Sequence, residues 1–446
     1  LALMTDTFLN NSVLTPKMLS KELIIEILED WNFWKKEPDT GILRESYLKR
    51  LEKLSQTEQV VVVTGVRRAG KSTILKQYIN SKIKGGEERK NFLYVNLEEP
   101  RFRSELSLDF LQTIYEAYLE LLDPSSKPFL FFDEVQLIPG WETFVRGLHE
   151  KNKANIFVSG SSAKLLSKEF ATVLTGRHID IKVYPLTFPE FLEFKKLTFK
   201  DRLDVVSQKS KVKQLLKEYL EYGGFPLVVL KEEKKEILTS YFEDILAKDV
   251  AERHRIKKVE KLRGLAQFYL TNVSSLASFR KIKEFLGLSL DSVERFSVYL
   301  EEAYLLFLKN KFAYSLKEQE INPRKIYCID NGIKNLVSFR FSENLGSSYE
   351  NAVFLKLLVQ EKEIFYWKSK RECDFLIKQG NKIINAMQVC YDFNLGNEER
   401  EVSGLLEALS EFKLKEGIII TADLEETRKI NNKTVMFIPL WKWLLT

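Results

Sequence analysis

Residues Gly65-Val-Arg-Arg-Ala-Gly70-Lys71-Ser72 place two glycines, a lysine and a hydroxyl in the spacing G-x-x-x-x-G-K-S, which suits the holding of a row of phosphates. Gly65 and Gly70 let the backbone curl, so that the N–H groups of Val66, Arg67, Arg68 and Ala69 face anionic oxygens. Those of Lys71, Ser72 and Thr73 add the positive end of the helix that comes next. Lys71 is the expected counter-charge for β- and γ-phosphates, and the Ser72 hydroxyl the expected ligand of Mg²⁺. Some sixty residues on, the apolar run Phe129-Leu-Phe-Phe ends in Asp133 and Glu134. Asp133 suits Mg²⁺ coordination through water, and Glu134 suits polarising an attacking water as general base. The cofactors implied are ATP and Mg²⁺.

Three further positions belong to the same chemistry with alternatives open. Ser161 and Ser162 end the run Asn155-Ile-Phe-Val-Ser-Gly, where a hydroxyl either senses a γ-phosphate or caps the next helix at Ala163-Lys-Leu-Leu. Arg177, on the turn Thr175-Gly176-Arg177, is either an arginine finger, in cis or from a neighbouring subunit, or a surface ion pair. Arg67 and Arg68 contact phosphate or a partner, or are simply solvated.

These residues need a scaffold that aims them at one crevice. From residue 59 short apolar runs alternate with helical stretches: Val60–Val63, Phe92–Val95, Phe129–Phe132, Asn155–Val158 and Ile179–Val183. Unbroken apolar runs of this kind fit strands buried on both faces of a parallel sheet, so the fold class is α/β. Residues 1–55 read as a helical N-terminal segment, 56–189 as the P-loop domain and 190–255 as a helical lid broken at Gly223-Gly224-Phe225-Pro226. Residues 256–316 have three helical patterns succeeded by Tyr304–Lys309 and Lys311–Leu316, a candidate hairpin, and so suggest a winged-helix unit. From 317 to 446 a second α/β pattern returns, with strands near Ile364–Trp367, Cys373–Ile377, Asn385–Val389 and Gly417–Thr421.

The succession GVRRAGKST, FLFFDE, VSGSSAKLLS, LTGR, YPLTFPEF and YGGFP resembles the archaeal and bacterial AAA+-like, STAND-related ATPase family, from about residue 18 to the C-terminus. In that family a P-loop domain precedes a winged helix and a domain similar to PD-(D/E)xK nucleases. The resemblance implies an ASCE-type sheet, with the sensor strand between the two Walker strands. It also implies a nuclease-like site at Glu350, Asp374 and Gln388. Where an acid-x-Lys is expected the chain has Gln388-Val389-Cys390, which lacks the ammonium. Losing such electrostatic support costs on the order of 2.7–4 kcal/mol of barrier, so an inactive nuclease fold is expected unless Lys378 or Lys382 takes that place.

Composition narrows the rest. The 446 residues are 44% hydrophobic and 30% charged, which excludes a disordered or fibrous chain. Three scattered cysteines without CxxC spacing argue against a disulfide framework and against zinc. No apolar run reaches the ~18 residues of a membrane span, and Leu1-Ala-Leu-Met-Thr-Asp has no leader pattern, so a cytoplasmic location without membrane contact is expected. The net charge is +6, and residues 246–285 alone, with ten basic against four acidic side chains, hold an excess of that size. This segment and the C-terminal domain are the candidate DNA contacts. The first functional reading is ATP hydrolysis that rearranges the C-terminal domains; the alternative is an ATP-regulated DNA-binding protein or nuclease. Oligomeric state stays open.

Overall fold

The computed structural model describes residues 19–161, 174, 176–338 and 345–446. Strands β1 (Val60–Thr64), β2 (Phe92–Asn96), β3 (Phe129–Asp133), β4 (Asn155–Gly160) and β5 (His178–Lys182) form one sheet in the order β2-β3-β4-β1-β5, every pairing parallel. β4 thus lies between β1 and β3, the order anticipated. Alternation within each strand explains why the runs are apolar throughout. Val61, Val63, Tyr94, Phe131 and Phe157 face the helix Lys71–Lys84 through Leu75, Tyr78 and Ile79. Val60, Val62, Leu93, Leu130, Phe132 and Val158 face Ile24, Ile27, Phe110, Ile114 and Val145 on the opposite side. The Phe131 and Phe157 rings stack at 4.6 Å, and truncating one such ring in a packed core costs about 3–5 kcal/mol.

After β5 the chain is helical: Phe188–Phe194, opened by a Thr187/Glu190 capping box, then Lys209–Tyr222, Pro226–Leu230 and Lys234–Asp244. Residues Ile245–Glu252 wind as a π-helix, a rare and wide helical form that is frequent at functional sites. Next come helix Val259–Thr271, β6 (Leu276–Ala277), helices Phe279–Leu286 and Leu290–Glu302, β7 (Leu306–Lys309) and β8 (Arg324–Cys328), with the sheet order β6-β8-β7. The hairpin expected between 304–309 and 311–316 is corrected here, because β7 pairs with β8 instead. Lys311 makes only an isolated bridge to Tyr366, and Leu316–Ile321 is a helix that ends just before Pro323. Ile326 and Cys328 are fully buried on β8, which draws this strand, beyond residue 317, into the preceding sheet.

The C-terminal sheet is mixed and has the order β13-β14-β12-β11-β10-β9, from β9 (Glu363–Lys368), β10 (Glu372–Gln379), β11 (Lys382–Val389), β12 (Glu416–Thr421), β13 (Glu426–Ile430) and β14 (Lys433–Pro439). Cores run across the sequence boundaries. Val61 and Leu75 share one cluster with Leu265, Tyr269, Leu300 and Tyr304, while Phe191 and Tyr219 share another with Val353, Phe354 and Trp441. The phosphate-loop domain is therefore packed against the helices and strands C-terminal to it.

Candidate functional site

Thr64 at the end of β1 leads straight into Gly65, whose φ is +140° and whose absent Cβ would lie 2.0 Å from the Val183 carbonyl oxygen. Only glycine fits there. Gly70, at φ +98°, opens the helix that begins with Lys71. The Lys71 ammonium is buried and donates to the carbonyls of Gly65 (3.1 Å) and Val66 (3.2 Å), with a Glu134 carboxylate oxygen 3.9 Å away. Arg44, a buried residue not singled out from sequence, braces the loop from behind. It makes a two-point pair with Glu190 at 2.9 and 3.0 Å and donates to the carbonyls of Ala69 and Tyr184, each at 3.0 Å.

In a parallel sheet the C-terminal ends of β1 and β3 open on one crevice, and β3 ends in Asp133. Its buried carboxylate accepts from the Tyr94 phenol and the Ser159 hydroxyl. Ser72 draws the Tyr94 phenol down against the upward push of burial, so the two oxygen donors expected to face Mg²⁺ flank one phenol. The donor set fits the expected group: hard oxygens from Ser72 and Asp133 for Mg²⁺, beside loop amides and an ammonium for phosphate. Glu134 has φ +53°, which turns its side chain away from the strand toward β4. Its carboxylate accepts from the Gln136 amide and, at 3.3 Å, from the Ser161 backbone N–H. Burial pushes the Glu134 carboxyl up, but Lys71, the Gln136 amide, Arg67 and Arg253 outweigh it and hold it below its ordinary value. It is ionised at neutral pH.

Ser161 donates through Oγ to Asp249 at 2.8 Å. Ser162, the helix expected from Ala163 and Thr175 lie outside the described residues. Arg67 is not the solvated side chain that one reading held it to be. It is only 13% exposed, pairs with Asp249 at 3.0 and 3.2 Å and reaches Glu98 at 3.1 Å. Arg68 is half exposed, 3.8 Å from Asp244. Both loop arginines thus meet acids at the end of the lid. Arg177 is not brought to the loop. It precedes the β5 residue paired with Val60, at the other end of a strand whose four steps span ~13 Å, and it bonds Glu150 at 3.2 Å. A finger reaching its own phosphate loop is thereby corrected. Asp249 and Arg253 were missed, although their i,i+4 spacing on a charged helix was a visible sign.

The second cluster lies in the C-terminal sheet. Glu350, Asp374 and Gln388 do converge, and the ammonium absent from position 390 comes from β8. Lys325, 1% exposed, contacts Asp374 at 2.7 Å, Glu350 at 2.9 Å and Glu372 at 3.1 Å. The expected substitutes do not reach it: Lys378 pairs with Glu363 at 2.7 Å, and Lys382 starts the exposed end of β11. The Gln388 amide accepts from the Asp374 N–H at 3.1 Å and donates to Glu401 at 2.8 Å, while Val389 N–H donates to Asp374 at 2.9 Å. Burial and the Asp374 charge push the Glu350 carboxyl up to about 8 against the pull of Lys325, whose own ammonium is held well above its usual range by the acids despite burial. Among the described residues no group of three or more His, Cys, Asp and Glu is arranged to hold a metal ion, and no helix is long and apolar enough to cross a membrane.

Against known proteins, residues 57–192 match an AAA domain, and 213–344 and 345–443 each match a domain of unknown function. Over 455 residues the chain is 36% identical to the uncharacterized protein MJ1544 of Methanocaldococcus jannaschii, covering 98% of this chain and 97% of that one. The chain belongs to the family of MJ1544. An uncharacterized protein of Haemophilus influenzae is 32% identical over 90% of this chain and 98% of its own. The Walker-type ATPase PABY2304 of Pyrococcus abyssi is a solved structure with TM-score 0.39 and 15% identity, covering 69% of this chain and 99% of that one. Both clusters cross the borders of these matches. Asp249 and Arg253 lie beyond the AAA domain whose loop they meet, and Lys325 lies in the middle domain, whereas its three acids belong to the last.

Proposed function

We propose that this MJ1544-family protein is a Mg²⁺-dependent ATPase whose nucleotide state sets the arrangement of its C-terminal units. The observation that carries this is the convergence of Lys71, Ser72, Asp133 and Glu134 at the C-terminal ends of β1 and β3. Loop amides and Lys71 hold the phosphates, Ser72 and Asp133 hold the metal, and Glu134 orients and deprotonates the attacking water, with Ser161 beside it. Coupling is supported by contacts that leave the loop: Arg67 to Asp249, Arg68 to Asp244, and the Tyr304 hydroxyl to Thr64 at 3.0 Å. Arg177 enters this reading only as a finger for a neighbouring subunit. Phosphate release with Mg²⁺ tests it: Lys71→Ala and Glu134→Gln are expected to lose turnover, the latter by about 10²–10⁴-fold with ATP still bound. A wild-type rate equal to that of Glu134→Gln overturns hydrolysis.

A DNA-directed role is the second reading, supported by the succession of helix Val259–Thr271, β6, two helices, β7 and β8 in a sheet of order β6-β8-β7, which resembles a winged helix, and by exposed Arg255, Lys257, Lys258, Arg280, Lys281 and Lys283. The basic excess is not one surface, since Arg253 turns inward to Asp249 and Arg263 pairs with Glu243. Charge reversal at Lys257, Lys258, Arg280 and Lys281 is expected to abolish salt-dependent duplex binding; binding that survives it removes this surface from the reading. We read the C-terminal domain as a nuclease-like scaffold closed around Lys325, and metal-dependent DNA cleavage that Asp374→Ala abolishes is the result against that.

A further inference from the structure

The carboxylate of Asp249 sits where three donors from three separate elements meet. Arg67 comes from the phosphate loop and binds it at two points, 3.0 and 3.2 Å. Ser161, just past β4, donates to it at 2.8 Å, and Arg253, at the end of the π-helix, approaches it at 3.5 Å and the Ser161 hydroxyl at 3.3 Å. Asp249 itself is 1% exposed. A carboxylate this deeply buried needs charged partners, and these partners are the kind that recognise a phosphate: two guanidinium groups and a hydroxyl.

Two observations distinguish this from an ordinary buried ion pair. The Glu134 carboxylate lies against the same group, accepting from the Ser161 N–H at 3.3 Å and held low in part by Arg67 and Arg253, so the cluster borders the acid expected to act on the attacking water. The Arg253 Nη1 is buried and has no hydrogen-bond partner among the described residues. Asp249 has two oxygens, and Arg67 and Ser161 already engage both. A terminal phosphate has three oxygens and more negative charge, enough to satisfy the donor that the carboxylate leaves over.

We propose that Asp249 is an internal stand-in for the terminal phosphate of a nucleoside triphosphate. Without nucleotide it holds Arg67, Ser161 and Arg253. The γ-phosphate takes these donors over and displaces Asp249, which frees the π-helix Ile245–Glu252. ADP has no group to compete at this point and leaves the latch closed. The inference rests on the ATP reading above and adds the residues that separate triphosphate from diphosphate and carry the difference into the lid.

Calorimetric binding of ATP and ADP with Mg²⁺ tests it, using the full-length Glu134→Gln background to prevent turnover. Asp249→Asn removes the competing charge and is expected to tighten ATP roughly tenfold while ADP stays within about twofold, a coupling of ordinary allosteric size. Arg253→Gln is expected to weaken ATP and spare ADP. Retained ADP affinity reports an intact phosphate loop in each variant. An Asp249→Asn protein that binds ATP more weakly, or with an unchanged ATP to ADP ratio, overturns the latch. Hydrogen exchange needs no change at the latch: amides of 245–256 in the same Glu134→Gln protein are expected to exchange faster with ATP than with ADP, and equal exchange counts against the proposal. If the protein binds neither nucleotide, the ATP reading itself falls; if it binds both and the latch amides do not distinguish them, only the latch falls.

Discussion

Replacing Lys325 by methionine keeps most of the side-chain volume and removes the ammonium that three carboxylates face, at 2.7, 2.9 and 3.1 Å. Removing one partner of a buried ion pair costs about 3–5 kcal/mol, because the other is left charged and desolvated. Here Glu350 already sits at about 8, so in the variant it takes a proton first, and Asp374, also raised by burial, is protonated next. Protonation limits the loss, which keeps the estimate in that range despite three acids. The penalty is therefore pH-dependent: acid supplies the protons that offset the missing ammonium, and the deficit against wild type grows as pH rises toward 8. For a unit of this size the loss corresponds to a melting transition lower by roughly 6–20 °C at pH 8. Differential scanning calorimetry at pH 5 and pH 8 measures it, and hydrogen exchange of the β10 and β11 amides assigns it to the C-terminal sheet. Adding Asp374→Asn to the methionine variant is expected to recover much of the difference. A loss under about 1 kcal/mol at pH 8, or one equal at both pH values, refutes the account of Lys325 as the charge that the domain is closed around.

Wild-type protein carries a related signature: the folded Glu350 carboxyl holds its proton up to about 8, whereas in the unfolded chain it lets go near the ordinary 4.5. The folded state binds more protons in that window, so this group's contribution to stability falls as pH rises through it, and Glu350→Gln is expected to flatten the slope in denaturant titrations. Arg44→Lys keeps the charge and cannot make the two-point Glu190 pair together with bonds to Ala69 and Tyr184; we expect a loss of about 2–4 kcal/mol in urea unfolding and weaker ATP binding, since the Ala69 carbonyl loses its brace. Gly223→Ala puts a methyl group 1.9 Å from the Asp330 carboxylate at φ +77° and is expected to destabilise far more than Gly86→Ala, where φ is +103° but nothing lies within 4 Å and only the ~1–2 kcal/mol backbone cost applies; thermal shifts of the two variants decide it.

How much of the molecule is legible in its sequence depends on where the information lies. The five parallel strands announce themselves because both faces are covered, so each strand is an unbroken apolar run, and Val60 and Val61 can face opposite cores while looking alike in sequence. Lys71, Ser72, Asp133 and Glu134 stand in short contiguous motifs whose backbone geometry is local, as the positive φ of Gly65, Gly70 and Glu134 makes plain. Strand β13 was missed because Glu426-Thr-Arg-Lys-Ile gives a half-buried pattern with little apolar signal, and β14 because its apolar run Val435–Pro439 continues without a break into Leu440 and Trp441 of the last helix. Lys325 was missed for a different reason. The resemblance directed attention to lysines on β10 and β11, near the acids in sequence, whereas charge satisfaction in a buried site depends only on distance in space. Strand β8, committed to the preceding sheet by Ile326 and Cys328, delivers the ammonium from outside the domain that owns the acids. Asp249 and Arg253 obey the same logic. Counted in sequence they belong to a basic, apparently solvated stretch, yet the lid folds back so that one acid and one arginine of that stretch face the phosphate loop. A charge run therefore says how much charge a segment carries, and only the packing of the lid on the sheet decides which of those charges is spent on the nucleotide site and which remains to meet another molecule.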